Sequence, residues 1–490
     1  MSALREERIP RLAPAILIGA VVAECALIAL GFLTGRPMLA AAVAAAIAYF
    51  FIAFRAPNVA WALVWVTVPP NVEIVLEGGI ALTIQTEPMI LLALLAWGLR
   101  LMMEGRWSLP ASPLHLPLAV LAGLALLSTL WSVSPASTLK AWIMMFGYVA
   151  FGYVYYIQAR FDRRWRERAL LLVAITGAVW GAFGVVRVLF MGGGELEAVS
   201  VASTYSYGAF RPFFREHGTY GAYLGMLLPA AVLAALERRG WERLLYSLSA
   251  FLIGAGVLLA FARAGWLAVM VVVPLSVFVW ARWRKATRRL LLPAALVFVA
   301  VLLIGGIGIS RQVARHATSV VSRENLSNLE RLNRWETALS MARDRPWTGV
   351  GYGSYLDAYP EYRSRAFVTD QTYIRMGVHS EPLKLLSEMG VPGLLAALWF
   401  LAVVSWLALR SFHGLADPGD RVLALAALAG LGTYLINGLF NAYLVEDKVT
   451  VPFWVAIGVI AALGIRMQNH QERVADDGPG MCRVTSSPSP

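Results

Sequence analysis

"GVLLAFARAGWLAVMVVVP", residues 256–274, sets one arginine, Arg263, between two apolar runs with almost no connecting loop. Extended outward, each run reaches the roughly 20 residues that a helix needs to cross a bilayer core of about 30 Å. A chain that reverses in so few residues between two such runs is a helical hairpin through a membrane. The pattern recurs along the 490 residues, and the composition fits it: 59% of residues are hydrophobic and 15% charged. Soluble domains have about 45–50% apolar and about 25% charged residues. Backbone groups in lipid must be paired within the chain, and the alternation of a barrel strand is absent, so the spans are helices. The expected fold is an all-α polytopic membrane protein of about 12–14 transmembrane helices with a large, partly helical outer loop.

The spans are expected near 14–33, 37–54, 58–76, 86–103, 113–131, 137–157, 168–191, 217–236, 243–262, 264–281, 289–309, 391–410, 421–440 and 449–466. The third is interrupted by Pro69, Pro70 and Asn71. A count of twelve also fits if two early segments are re-entrant. With the N-terminus in the cytoplasm, the inside loops include "QARFDRRWRER" (158–168), "ERRGWER" (237–243) and "RWRKATRR" (282–289). The outside connections include the acidic "NVEIVLEGGIALTIQTE" (71–87) and the uncharged "WSVSPAS" (131–137). Short cytoplasmic loops hold the Lys/Arg excess of membrane proteins, so this orientation fits and its reverse does not. An even number of spans puts both termini in the cytoplasm. The chain then divides into a transmembrane bundle of about eleven spans (1–309), a large outer loop with short helices (310–390), three further spans (391–466) and a disordered cytoplasmic tail (467–490). No internal repeat is evident.

The net charge of +12 lies in these arginine clusters and serves topology, so no nucleic-acid partner is expected. Cys25 and Cys482 give no disulfide framework, and the start "MSALREERIPR" has no signal-peptide pattern.

The outer loop has the composition of an ordered segment. In "SNLERLNRWETALSMARDRP", Leu329, Leu332, Trp335 and Leu339 fall at helical spacing. Ser327 with Glu330 reads as a capping box, and Pro346 as the stop. A glycine turn, "GVGYGSY", follows. Farther on, Pro382 suits the first turn of a short helix over about 382–389; Gly390 ends it and Pro392 opens the next span.

Candidate chemistry gathers on the outer side. "FRPFFREHGTYGAYLGMLLP" puts Arg211, Arg215 and His217 at the start of the eighth span, and Arg263 sits in the tight turn. An arginine in an apolar setting is costly and is a functional candidate, the alternative being a side chain that snorkels to the interface. His379 would lie beside the N-terminus of the short helix, whose positive end disfavours imidazolium and attracts anions. A neutral histidine there suits removal of a hydroxyl proton. Glu381 reads as a helix cap or an orienting partner. His379 and Glu381 supply at most two metal ligands and no Cys pair or His-x3-His supports zinc, so no metal and no cofactor are expected. Arginines match phosphate oxygens through their planar fork of donors, which points to a phosphate-bearing lipid. No Gly-x-Ser-x-Gly elbow and no phosphate-binding P-loop is present.

"RWETALSMARDRPWTGVGYGSY" (334–355) followed by "VHSEPLKLLSEMGVPGLL" (378–395) resembles the signature of the O-antigen ligase and polymerase superfamily. "AFARAGWLA" (260–268) and "FREHGTYGAYLGMLLP" (214–229) resemble two further family elements, and the likeness covers about residues 205–400. The sequence departs from the family pattern at Ala262, often serine, and at Ser380, often asparagine. The resemblance implies a metal-independent, inverting transfer of a glycan from undecaprenyl diphosphate on the periplasmic face of the bacterial inner membrane. It implies that Arg263, with Arg211 or Arg215, holds the diphosphate, and that His379 activates the acceptor hydroxyl. The implied partners are the undecaprenyl-diphosphate-linked glycan, a lipid or glycan acceptor such as lipid A core, and the bilayer. A repeat-unit polymerase of O-antigen or exopolysaccharide shares this chemistry. A lipid-linked oligosaccharide flippase is the alternative of another class, and transporters often show internal pseudo-symmetry that this chain lacks.

Overall fold

The computed structural model describes residues 37–71, 73–75, 81–83, 86–105, 109–158, 163–190, 210, 213–214, 216–285, 326–368, 377–444 and 446–476. The expected spans at 14–33 and 289–309, Arg211, Arg215 and the tail from 477 lie outside these residues. The chain forms two compact units, residues 1–108 and 109–490.

In the first unit, α1 (Pro37–Arg55) and α2 (Pro57–Thr67) both begin on proline, whose missing N–H is no loss in a first turn. The expected third span stops early. Pro69 and Pro70 remove two backbone donors, so α2 is an 11-residue helix. The acidic connection beyond it contains an antiparallel ribbon, β1 (Glu73–Val75) with β2 (Ala81–Thr83), in which Glu73 faces Thr83. α3 (Thr86–Glu104) follows. Apart from that ribbon, the described fold is helical.

The second unit holds the remaining helices. They are α4 (His115–Leu127), α5 (Pro135–Val149), α6 (Arg163–Leu189), α7 (His217–Glu237), α8 (Gly240–Leu259) and α9 (Arg263–Trp283). After them come α10 (Leu326–Asp344), α11 (Tyr355–Tyr362), α12 (Glu381–Gly414), α13 (Pro418–Gly438) and α14 (Asp447–Asp476). Among the described residues, eight helices are long and apolar enough to cross a membrane: α3, α6, α7, α8, α9, α12, α13 and α14. The expected spans from 217 to 281 and from 391 to 466 coincide with these elements within a few residues at most boundaries. α14 extends farther, and the chain is a polytopic helical membrane protein.

α7 and α14 are the most enclosed spans, with 78% and 83% of their apolar windows buried against 28% for α8. α7 packs on α6, α8, α9, α13 and α14, while α12 packs on α4, α10, α13 and α14. Small residues allow these approaches, as is usual between membrane helices. A Cβ on Gly458 of α14 would lie 2.2 Å from the Gly152 carbonyl oxygen. That contact falls where α5 continues as a widened helical turn through Ala150–Tyr155.

α12 is two helices in one. Gly390, at φ 66° and ψ −167°, breaks it into a short outer piece and a long span. The Pro346–Gly353 turn threads into that break. Val391 N–H donates to Pro346 O at 2.8 Å, Val350 N–H to Ser387 O and Gly351 N–H to Glu388 O, both at 2.9 Å. On its other side, Trp131 Nε1 donates to Thr348 O at 2.8 Å. A Cβ on Gly349, itself at φ +64°, would sit 2.3 Å from the Glu388 carbonyl carbon. Glycine is therefore required at this crossing, and the crossing fixes the end of α10 against α12.

Candidate functional site

α10 turns a different face inward from the one its apolar spacing suggests. Leu332 is 39% exposed, whereas Asn333, Arg334, Thr337, Ala338 and Met341 are buried. The buried polar groups are paired. Asn333 Nδ2 donates to Ser364 O and Phe367 O at 2.9 and 2.7 Å, and Tyr359 Oη donates to Asn333 Oδ1 at 3.0 Å. Arg334 meets Glu330 at 3.4 Å, and its carbonyl accepts from Tyr355 Oη at 3.0 Å. The described part of the helix begins at Leu326. It ends at Asp344, two residues before Pro346.

His379 faces this helix. Its φ of 51° is a left-handed conformation that non-glycine residues rarely hold, and such strain persists only where the surroundings over-determine it. Trp335 Nε1 of α10 donates to the His379 carbonyl at 3.4 Å. His379 Nδ1 pairs with Asn441 Oδ1 at 3.4 Å. With Asn441 as acceptor, Nδ1 carries the proton and Nε2 keeps its lone pair. Burial, then the charges of Arg334 and Arg331, push the imidazole down to about 3, with the Asn441 bond opposing them. Burial and the two arginines, rather than a helix end, disfavour the imidazolium. Ser380 is the residue that precedes α12, and it makes no side-chain capping bond.

Glu381 reaches outside its own helix. Its Oε1 accepts from the N–H groups of Tyr443 and Leu444 at 2.6 and 2.7 Å. This pins the segment between α13 and α14 that carries Asn441, so Glu381 stands behind the partner of His379. Beneath it, an apolar cavity of about 200 Å³ is lined by Leu385, Met389, Tyr434 and Trp454, among others.

The second group of charges is built on the spans. His217 is the first residue of α7, and its Nδ1 donates to Ala260 O at 2.7 Å. That carbonyl belongs to the turn before α9, in which Phe261 holds φ 49°. A Cβ on Gly221, one turn along α7, would lie 3.1 Å from the Cβ atoms of Ala260 and Ala262, so the turn beds directly on α7. Arg263 follows as the first residue of α9 and is partly buried. Arg263 and Arg331 both lie within electrostatic reach of His217.

Of the expected residues, Arg263 thus acts electrostatically on His217, and Arg331 and Arg334 act on His379. Arg331 is common to both histidines. Lys448 of α14 donates to Phe213 O and stands 5.1 Å from the Phe214 ring centre. Sequence reasoning passed over Arg331, Arg334 and Asn441. The first two lie between the apolar residues used to recognise α10, and Asn441 is 62 residues from its partner. Among the described residues, no three His, Cys, Asp or Glu side chains are grouped as metal ligands.

Such a fold and site define a polytopic membrane protein with a cationic cluster around two histidines, one neutral and one at a span terminus. Residues 248–398 match the O-antigen ligase family, a segment that contains the Arg263 turn, α10, the glycine turn and His379. The match supports the O-antigen ligase superfamily and, in general terms, a membrane glycosyltransferase of that type. Comparison with curated proteins gave no match.

Proposed function

We propose that this protein transfers a glycan from undecaprenyl diphosphate to an acceptor hydroxyl, of lipid A core or another glycan, on the periplasmic face of the inner membrane. In this reading both termini are cytoplasmic and 310–390 is the periplasmic loop over the span bundles 1–309 and 391–466, with 467–490 as the tail. The observation that carries it is a neutral, half-buried His379 set among arginines within the matched segment.

The chemistry needs one base and a sink for negative charge. The acceptor O–H gives its proton to Nε2 of His379, and the oxygen attacks the anomeric carbon. The bond from that carbon to the diphosphate oxygen breaks as the new C–O bond forms. One displacement from the face opposite the leaving group inverts the centre. Undecaprenyl diphosphate leaves with the electron pair, and Arg263, with Arg211 or Arg215, holds its charge. Preorganised donors at a developing anion are worth about 2.7–4 kcal/mol each. Glu381 supports the base by fixing the Asn441 segment. No step here uses a metal.

The test is reconstitution of the full chain with an undecaprenyl-diphosphate oligosaccharide and candidate acceptors. Transfer that is lost in His379→Ala supports the reading, and undiminished transfer by that variant overturns the base. A single product identifies a ligase. A ladder on the carrier identifies a polymerase, and transbilayer movement without transfer identifies a flippase.

A further inference from the structure

The end of the bundle opposite the histidines carries a second set of cations. α9 begins in the turn bonded to His217 and ends at Trp283, and α12 begins two residues after His379 and ends at Gly414. There the Trp283 ring stands edge-on to Phe412, with ring centres 5.5 Å apart. Two guanidiniums meet the same indole. Arg284 lies 4.4 Å from its centre, and Arg421, from the first turn of α13, lies 5.4 Å from it. The two differ in what balances them. Arg284 bonds Glu237 at the end of α7, whose Oε2 also accepts from Trp280 Nε1 at 3.1 Å. Arg421 is fixed through Nε to the carbonyl of Leu415, in the turn between α12 and α13. Among the described residues it makes no ion pair. The acids near it on α13 are engaged elsewhere: Asp417 accepts from Gly419 N–H at 2.7 Å, and Asp420 meets Arg466 at 3.3 Å. A guanidinium held at Nε and backed by an indole offers its two terminal nitrogens as a fork, a geometry that receives phosphate oxygens.

We propose that Arg421, backed by Trp283, holds the headgroup phosphate of an anionic phospholipid of the surrounding bilayer. The inference does not depend on the glycan-transfer reading. The height of the site selects a lipid. Six residues before Phe412 on α12, Trp406 is 49% exposed and Arg410 lies 5.2 Å from its ring centre. An exposed tryptophan with an arginine marks where a span passes from hydrocarbon to headgroups. Trp283 and Arg421 join α12 less than two turns farther on. Apolar surface for acyl chains lies on the same two spans, with Phe278 of α9 56% exposed and Leu409 of α12 46% exposed. A free phosphate would have no use for it. Net negative charge is favoured because Arg282, Lys285 and Arg410 are exposed at this end, and a zwitterionic headgroup would bring an ammonium into their field. In the proposed orientation the lipid belongs to the cytoplasmic leaflet.

Native mass spectrometry of the full chain in detergent, with phosphatidylglycerol and phosphatidylethanolamine of equal chain length as probes, tests this. Wild type is expected to retain phosphatidylglycerol at least about tenfold more strongly. Arg421→Gln is expected to weaken phosphatidylglycerol at least about tenfold, as loss of a hydrogen bond between charged groups would. Arg243→Gln removes a charge from an exposed arginine of α8 at the same end and is expected to leave binding within about twofold. If Arg421→Gln fails to fold, Trp283→Leu, which leaves the bond to Leu415, is expected to weaken the lipid about threefold. Inorganic phosphate in excess is expected to leave the lipid bound. A wild type without preference, or an Arg421→Gln or substitute Trp283→Leu variant that binds like it, would overturn the proposal. Equal losses in Arg421→Gln and Arg243→Gln would mean diffuse surface charge, and displacement by inorganic phosphate would mean a site for the free ion; either result overturns it.

Discussion

Arg263 stands at the end of an apolar turn bedded on α7, with a polar bond from His217 to Ala260 O. Arg331 and Arg334 stand on a helix whose buried Asn333, Arg334 and Thr337 are each hydrogen-bonded to partners outside it. The span side is made by close backbone approach and apolar packing, with a charge set at its rim. The loop side is made by hydrogen bonds that orient a strained histidine. The contrast separates the tasks of the proposed site: the rigid side holds charge, and the polar side tunes and aims a base.

The largest effect expected to sharpen this contrast is at the base. His379→Ala should lower transfer by about 10²–10⁴-fold while diphosphate binding persists, measured as turnover and lipid affinity in parallel. Arg263→Gln should lower transfer by about 10²–10³-fold and weaken the diphosphate as well. If the two variants gave the same profile, the division of tasks would be broken.

His217 tests how the span side is held. Asparagine can offer an N–H near the position of Nδ1, so His217→Asn should keep the turn before Arg263, whereas His217→Ala should weaken donor binding by about tenfold. The readout is KM for the donor against kcat, since a loss confined to KM marks displacement of the clamp.

Gly349→Ala addresses the crossing that holds the loop side. A β-carbon at φ +64° and 2.3 Å from the Glu388 carbonyl carbon cannot be accommodated without movement of α12. Backbone strain alone costs about 1–3 kcal/mol. Thermal unfolding in detergent should show a lower midpoint, and an unchanged midpoint would mean that the turn is not anchored as described.

The smallest effect near neutral pH is acid sensitivity. The folded value for His379, about 3, lies below its ordinary 6.5. The unfolded chain therefore takes up a proton that the folded chain refuses. This contribution leaves stability full above about pH 6.5 and erodes it as pH falls towards 3, by up to about 1.4 kcal/mol per pH unit. His379→Gln should flatten the decline of the unfolding midpoint with acid.

Much of the architecture was legible in the sequence because burial in lipid leaves a long apolar record. The spans from His217 to Trp283 and from Glu381 onward follow the apolar runs, and Gly390 and Pro392 marked the break in α12 in advance. The proline pair at Pro69 and Pro70 cut a span that hydropathy alone would extend. The site was legible only in part. Arg263 and His379 stand out because a charge or an imidazole is rare in such surroundings. The inward face of α10 did not, because Asn333, Arg334 and Thr337 are buried by partners 21 to 34 residues away. Asn441 was hidden for the same reason, since nothing near it in sequence identifies it as the partner of a histidine.

The central claim is that the rigid and the polar side serve one substrate. A structure of the full chain in nanodiscs with bound undecaprenyl diphosphate tests it most directly. The account predicts the diphosphate at Arg263, with His379 Nε2 facing the terminal phosphate, the one to which the sugar is joined in the donor. A diphosphate bound elsewhere, with His379 facing only protein, would contradict it.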